Sequence, residues 1–199
     1  MGKVYLAFDP KLGRQVAIKV LNTATGDTAL RERFLREARA IAALKHPNIV
    51  NILDFGEHEE MPYLVMEYLP GGTLKQKLGR ALPWQKTIQI LLPVARGLAY
   101  AHQHNIIHRD VKPTNLFLNA DEDGVIGVKV SDFGVARLTD SSATRTGIIL
   151  GSPSYMAPEQ LDGRPLTGSA DLFSLGVTLF QLLTGMLPFR SDSIPGLMQ

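Results

Sequence analysis

Apolar residues recur along this chain with two different periods. Gln15-Val16-Ala17-Ile18-Lys19-Val20-Leu21 alternates, and a period of two predicts a strand that carries Ala17 and Lys19 on one face. Between Ala29 and Leu44 the period lengthens, with Phe34, Ala38, Ile41 and Leu44 at helical spacing. Glu37 falls on that apolar face, whereas Arg31, Arg33, Arg36 and Arg39 supply solvated charge. A buried carboxylate needs a partner, and the pattern offers Lys19. His46-Pro47-Asn48 reads as a turn before a strand. The apolar stretch from Leu172 to Leu183 is too short and too interrupted to span a bilayer.

One segment carries chemistry on its face. His108-Arg109-Asp110-Val111-Lys112-Pro113-Thr114-Asn115 is followed, seventeen residues after its Asn, by Asp132-Phe133-Gly134. An acid that can accept a hydroxyl proton, a lysine that can hold a phosphate, and an Asn and an Asp that can ligate Mg²⁺ are the parts phosphoryl transfer requires. With Val16-Ala17-Ile18-Lys19 upstream and Ala157-Pro158-Glu159 downstream, the chain resembles a protein kinase. The form of the catalytic loop is similar to that of serine/threonine kinases, in particular the bacterial ones of eukaryotic-like (Hanks) type. Each word alone is weak; together and in order they cover nearly the whole chain.

The resemblance implies an α+β, two-lobed fold. Residues 1–68 would form a small lobe, an antiparallel sheet with one helix, and residues 69–199 a mostly helical large lobe whose activation segment runs over 132–159. It also implies an incomplete domain. Of the expected Gly-x-Gly-x-x-Gly-x-Val loop only Gly2 and Val4 stand before Tyr5-Leu6-Ala7, which leaves a strand edge open. Beyond Pro188-Phe189 only about ten residues follow, so the preceding apolar helix is expected to expose a patch.

For ATP and Mg²⁺, the resemblance assigns roles residue by residue. Asp110 would act as the base and Lys112 would steady the γ-phosphate, with Asn115 and Asp132 ligating the metal. Lys19 would contact the α- and β-phosphates, paired with Glu37. Gly2 and Val4 would belong to the nucleotide loop, Ala17 would clear the adenine ring, and Val4 and Phe117 would lie above and below it. Tyr63 to Leu69 would be the last small-lobe strand and hinge, with Met66 as gatekeeper and the Glu67 and Leu69 backbones facing adenine. Asp171 would brace the catalytic loop from a helix. His102 and His104 would end a helix and His108 would pack in the core, which sets aside a metal role for the three.

Control would run through Arg109, which can hold a phosphate on the activation loop. Thr144 and Thr146 are the candidate autophosphorylation sites. Ser152 would stand in for the usual threonine that bridges Asp110 and Lys112, and Glu159 closes the segment. The implied partner is a protein bearing a serine or threonine. A non-catalytic module that binds nucleotide, a partner kinase or another copy is the rival from a different class. The intact Ala157-Pro158-Glu159 disfavours small-molecule phosphotransfer.

Composition adds bounds. The 199 residues, 45% of them apolar, suffice for one globular unit. A net charge of +2 lends nothing to nucleic-acid or membrane binding. No cysteine is present, which rules out disulfides and thiolate zinc sites. With no signal peptide visible, a cytoplasmic location is expected.

Overall fold

The computed structural model describes residues 2–21, 28–59, 61–120, 126–133 and 153–189. Four strands, β1 (Lys3–Asp9), β2 (Arg14–Val20), β3 (Ile52–His58) and β4 (Met61–Glu67), form an antiparallel sheet in the order β1-β2-β4-β3. The hairpin between β1 and β2 is closed by Asp9, whose carboxylate accepts the Lys11 and Leu12 amides at 3.0 and 3.2 Å. Gly13 completes the turn at φ +62°, a conformation that favours a residue without Cβ. The register puts Lys19 opposite Val4 on one side and Leu64 on the other, and Ala17 opposite Leu6 and Met66.

Helix α1 (Thr28–Ala42) packs on this sheet. Phe34 and Ala38 are buried with Ile52, Leu64 and Met66, giving the sheet its own core. Burial of a side chain the size of Phe34 contributes about 1.5–3 kcal/mol. The expected helix end at Leu44 is shortened to Ala42, yet Leu44 stays buried because the chain turns into the second core.

That second core surrounds α2 (Trp84–Gln103). Its buried residues, among them Thr87, Ile90, Val94, Leu98 and Ala101, recur every three or four positions. They pack against the hairpin β5 (Leu116–Ala120) and β6 (Ile126–Val130) and against α4 (Ser169–Thr184). A single turn, α3 (Pro158–Leu161), precedes α4, which ends on Gly185 in the left-handed conformation.

The His46-Pro47-Asn48 turn joins the two cores. Val130 N donates to Asn48 O and Val50 N to Val130 O, both at 2.9 Å, while Asn48 Nδ2 reaches Val128 O at 3.1 Å. Burial lowers the pKa of His46, whose Nδ1 accepts the Asn48 amide. As the sequence suggests, β1 lies at an open sheet edge with Val4, Tyr5, Leu6 and Phe8 each more than half exposed. Leu172, Phe180 and Leu183 of α4 are exposed as well. Among the described residues no helix is long and apolar enough to cross a membrane.

Gly97 shows how tightly α2 meets the turn: a Cβ there would lie 2.9 Å from Asn48 O. In a free helix alanine is favoured over glycine by about 1 kcal/mol, but here the carbonyl is fixed by the loop. Gly97→Ala is therefore expected to lower the melting temperature, with a loss of about 1–3 kcal/mol. A higher melting temperature would show that the turn yields.

Candidate active site

Between the sheet and the β5–β6 hairpin lies a cavity of about 140 Å³. Val4 and Ala17 line it from the sheet side, Phe117 from the hairpin, and Met66, Glu67 and Leu69 from the connection between the two cores. Asp132 stands at the same cavity, whose walls are largely apolar. Six residues expected around a purine ring are thus brought together. Gly2 is the correction: it does not line the cavity but lies against the Val20 carbonyl, where a side chain would clash. Its missing Cβ serves the close approach of β1 to the end of β2.

The catalytic-loop residues converge beside this cavity. A short 3₁₀ turn, Pro113–Asn115, folds Asn115 back on Asp110. Asn115 Nδ2 donates to the Asp110 carbonyl at 2.8 Å and to its carboxylate at 3.0 Å. Lys112 Nζ lies 2.8 Å from the same carboxylate oxygen. Ser131, the residue before Asp132, donates its amide and hydroxyl to Asn115 O at 2.9 and 3.2 Å. The two expected metal ligands are thereby fixed to one another through the backbone.

His108 is fully buried, as expected of a core histidine. Its Nδ1 accepts the Asp110 amide at 3.1 Å and its Nε2 lies 2.7 Å from Ser131 O, so these contacts set the proton on Nε2. Phe133 meets the His108 ring at a tilt, centroids 4.5 Å apart, and its burial leaves Asp132 turned to the cleft at φ +65°. Asp171, buried in α4, accepts the His108 amide at 2.8 Å, the Arg109 amide at 2.7 Å and His102 Nε2 at 2.7 Å. The brace was legible; the His102 contact was not, since a histidine closing a helix carries no sign of what it meets. Gly168 leaves room for it, because a Cβ there would lie 2.6 Å from His102 Nδ1.

The Lys19–Glu37 pairing is a second correction. Lys19 Nζ is bonded to Asp132 Oδ1 at 2.8 Å, while Glu37 Oε1 pairs with Arg33 one turn back at 3.2 Å. The position of α1 turns Glu37 towards a second cavity of about 200 Å³ that Ile41, Asn105, Ile106 and Arg109 also line. Glu37 Oε2 is buried there and has no hydrogen-bond partner among the described residues. Lys19 meets the carboxylate beside the cavity and Glu37 the cation on its own helix.

The protein kinase domain profile matches residues 1–198. The chain belongs to the protein kinase family. It is 44% identical to the serine/threonine-protein kinase Pkn1 of Myxococcus xanthus over 98% of its own length and 28% of that protein's. It is 42% identical to PrkC of Bacillus subtilis, covering 97% of this chain and 30% of that one. The chain thus spans about a third or less of these curated relatives. Among solved structures, the PknI kinase domain of Mycobacterium tuberculosis superposes with a TM-score of 0.76 at 33% identity, over 98% of this chain and 73% of that one. The sheet with its single helix and the helical remainder are therefore the two parts of a kinase fold.

Some expected kinase residues fall elsewhere. Thr144, Thr146 and Ser152 lie outside the described residues. Glu159 lies in the first turn of α3, and its carbonyl accepts the Arg164 amide at 2.9 Å. Tyr155, expected only as part of the segment, bonds Gln181 at 2.6 Å, and burial raises its pKa.

Glu67 does more than present its backbone. Its carboxylate takes Lys129 Nζ at 2.7 and 2.8 Å and the Asn51 amide at 2.7 Å. This ion pair ties the end of β4 to β6, three residues before Asp132. Both side chains are mostly buried, so the pair should exceed an exposed one. A double-mutant cycle of Glu67→Ala and Lys129→Ala is expected to give a coupling of about 1 kcal/mol in denaturant unfolding, weakening with salt. Strict additivity would show that the two charges stabilise independently.

Proposed function

We propose that this chain transfers the γ-phosphoryl group of ATP to serine or threonine hydroxyls of a protein. The observation that carries this reading is the grip of Lys112 and Asn115 on the Asp110 carboxylate, beside an apolar cavity that ends at Asp132. Adenine fits between Val4 and Ala17 on one side and Phe117 on the other, with the Glu67–Leu69 backbone along its edge. Asp110 orients the acceptor hydroxyl and takes its proton as the new O–P bond forms and the β–γ bridge breaks to release ADP. Lys112 balances charge on the transferring group.

The residues fit Mg²⁺. Asn115 spends its amide nitrogen on Asp110, which leaves its Oδ1, met by the Thr114 hydroxyl at a long 3.4 Å, able to take a cation, and Lys19 is bonded to Oδ1 of Asp132. Among the described residues no group of three or more His, Cys, Asp or Glu is placed to hold a metal ion. Two hard oxygen ligands completed by phosphate and water suit this ion. When bound, it would withdraw charge from the phosphate oxygens. Transfer also requires Lys19 to turn from Asp132 to the nucleotide phosphates.

Labelled phosphate transfer from Mg·ATP to the chain and to a serine/threonine acceptor tests the reading. Asp110→Asn is expected to lower the rate by about a hundredfold or more while nucleotide affinity by calorimetry holds. Equal rates in variant and parent would remove Asp110 from the base role, and a folded parent without transfer would leave a binding module.

Control rests on Thr144 and Thr146 in this reading. Phosphate on either would meet Arg109 and order the segment. Thr144→Ala combined with Thr146→Ala should lower the rate and abolish phosphopeptides from this loop. An unchanged rate would dissociate the loop from regulation.

A further inference from the structure

The corner from which Asp110 hangs is strained. Arg109 sits at φ +71°, the left-handed region that a side chain with Cβ seldom adopts. Such a conformation persists only where its surroundings hold it. The peptide unit that joins Arg109 to Asp110 is held at both polar ends. Its N–H donates to His108 Nδ1 at 3.1 Å. Its carbonyl, Arg109 O, accepts Gln160 Nε2 at 2.7 Å, a bond that crosses fifty-one residues of sequence.

Gln160 belongs to α3, at the close of the activation segment. The other atom of its amide is also used: Oε1 accepts the Ala157 amide at 3.1 Å. One primary amide thus joins two backbone segments, donating to the catalytic loop and accepting from the turn beside Pro158. That turn is itself secured on α4, because Ser174 Oγ donates to Tyr155 O at 2.7 Å and the Tyr155 hydroxyl bonds Gln181.

We propose that Gln160 is a positioning residue for Asp110. Its donated hydrogen bond fixes the plane of the Arg109–Asp110 peptide, and with it the direction in which the Asp110 carboxylate points. Without the bond, the Arg109 amide stays on Asp171 but the freed carbonyl can rotate, turning the Arg109–Asp110 peptide and carrying Asp110 with it. The same amide makes the aim of the base depend on the seating of residues 153–157. The proposal rests on the phosphotransfer reading for its catalytic consequence, but not for the tie itself.

The requirement is for an amide and nothing else of that size. A glutamate at this position still accepts from Ala157 N–H but sets a carboxylate oxygen against the Arg109 carbonyl, which has no proton to offer. A methionine fills the volume and makes neither bond. The two variants therefore separate the tie to Asp110 from the integrity of the turn.

The test uses the full chain with Gln160→Glu and Gln160→Met. It reads kcat, KM for ATP, melting temperature, and amide hydrogen exchange over residues 106–116. Misplacement of a reacting group is expected to lower kcat by about tenfold to a hundredfold in both variants. KM for ATP should stay within about twofold, since no cavity residue is touched, and Gln160→Glu should melt near the parent. Exchange protection of the loop around Asp110 should fall in both. Unchanged kcat and unchanged protection would overturn the proposal, as would a kcat loss that only follows the folded fraction. If the parent transfers no phosphate, the phosphotransfer reading fails by itself, and exchange still decides: preserved protection overturns the tie and lost protection supports it.

Discussion

The site depends on one buried carboxylate. Asp171 is fully shielded from solvent in α4, where an unpaired charge would be prohibitive. Three donors compensate it: the amides of His108 and Arg109 and the ring of His102. Because two of these are consecutive backbone groups, satisfying the charge also bends the catalytic loop. The left-handed Arg109 is thus a consequence of an electrostatic demand in the core, and Asp110 inherits its direction from it. The glycine at position 168 belongs to the same arrangement, since a larger residue would displace His102.

Around that fixed loop the cleft is organised by three lysine–acid pairs. Lys112 meets Asp110, Lys19 meets Asp132 and Lys129 meets Glu67, each between 2.7 and 2.8 Å with both partners largely buried. The first two sit where phosphate would arrive. A multiply charged anion there competes with Asp110 and Asp132 for the same ammonium groups, while the third pair lies at the connection between the two cores and has no such competitor. One class of interaction thereby recurs at the cleft and at the connection behind it.

The sequence made the catalytic loop legible because its chemistry is local. Asp110, Lys112 and Asn115 lie within six positions, and a short turn suffices to bring them together. The cavity lining was legible for a related reason: alternation along β2 and β4 fixes which face Ala17 and Met66 present. What escaped depends on distances that spacing does not encode. Glu67 with Lys129, His102 with Asp171 and Gln160 with Arg109 each join segments more than fifty residues apart. Periodicity placed Glu37 on the inner face correctly, but the rotation and depth of α1 determine which cation it reaches. Gly2 was read as part of a loop because of its residue type, whereas its neighbours made it a strand contact.

Lys19 cannot serve three anions at once, and this bears on how the small-lobe helix behaves. With Lys19 on Asp132, Glu37 keeps Arg33 for one oxygen and leaves the other buried without a partner among the described residues. Leaving one acceptor of a carboxylate desolvated costs about 1–3 kcal/mol, so this position of α1 is not its most favourable one electrostatically. A divalent cation held by Asp132 would compete with Lys19 for that carboxylate and leave the ammonium available to another anion. The packing of Phe34 and Ala38 opposes a large displacement, since both are nearly inaccessible. The unsatisfied oxygen and the close-packed helix face thus pull in opposite directions on the position of α1.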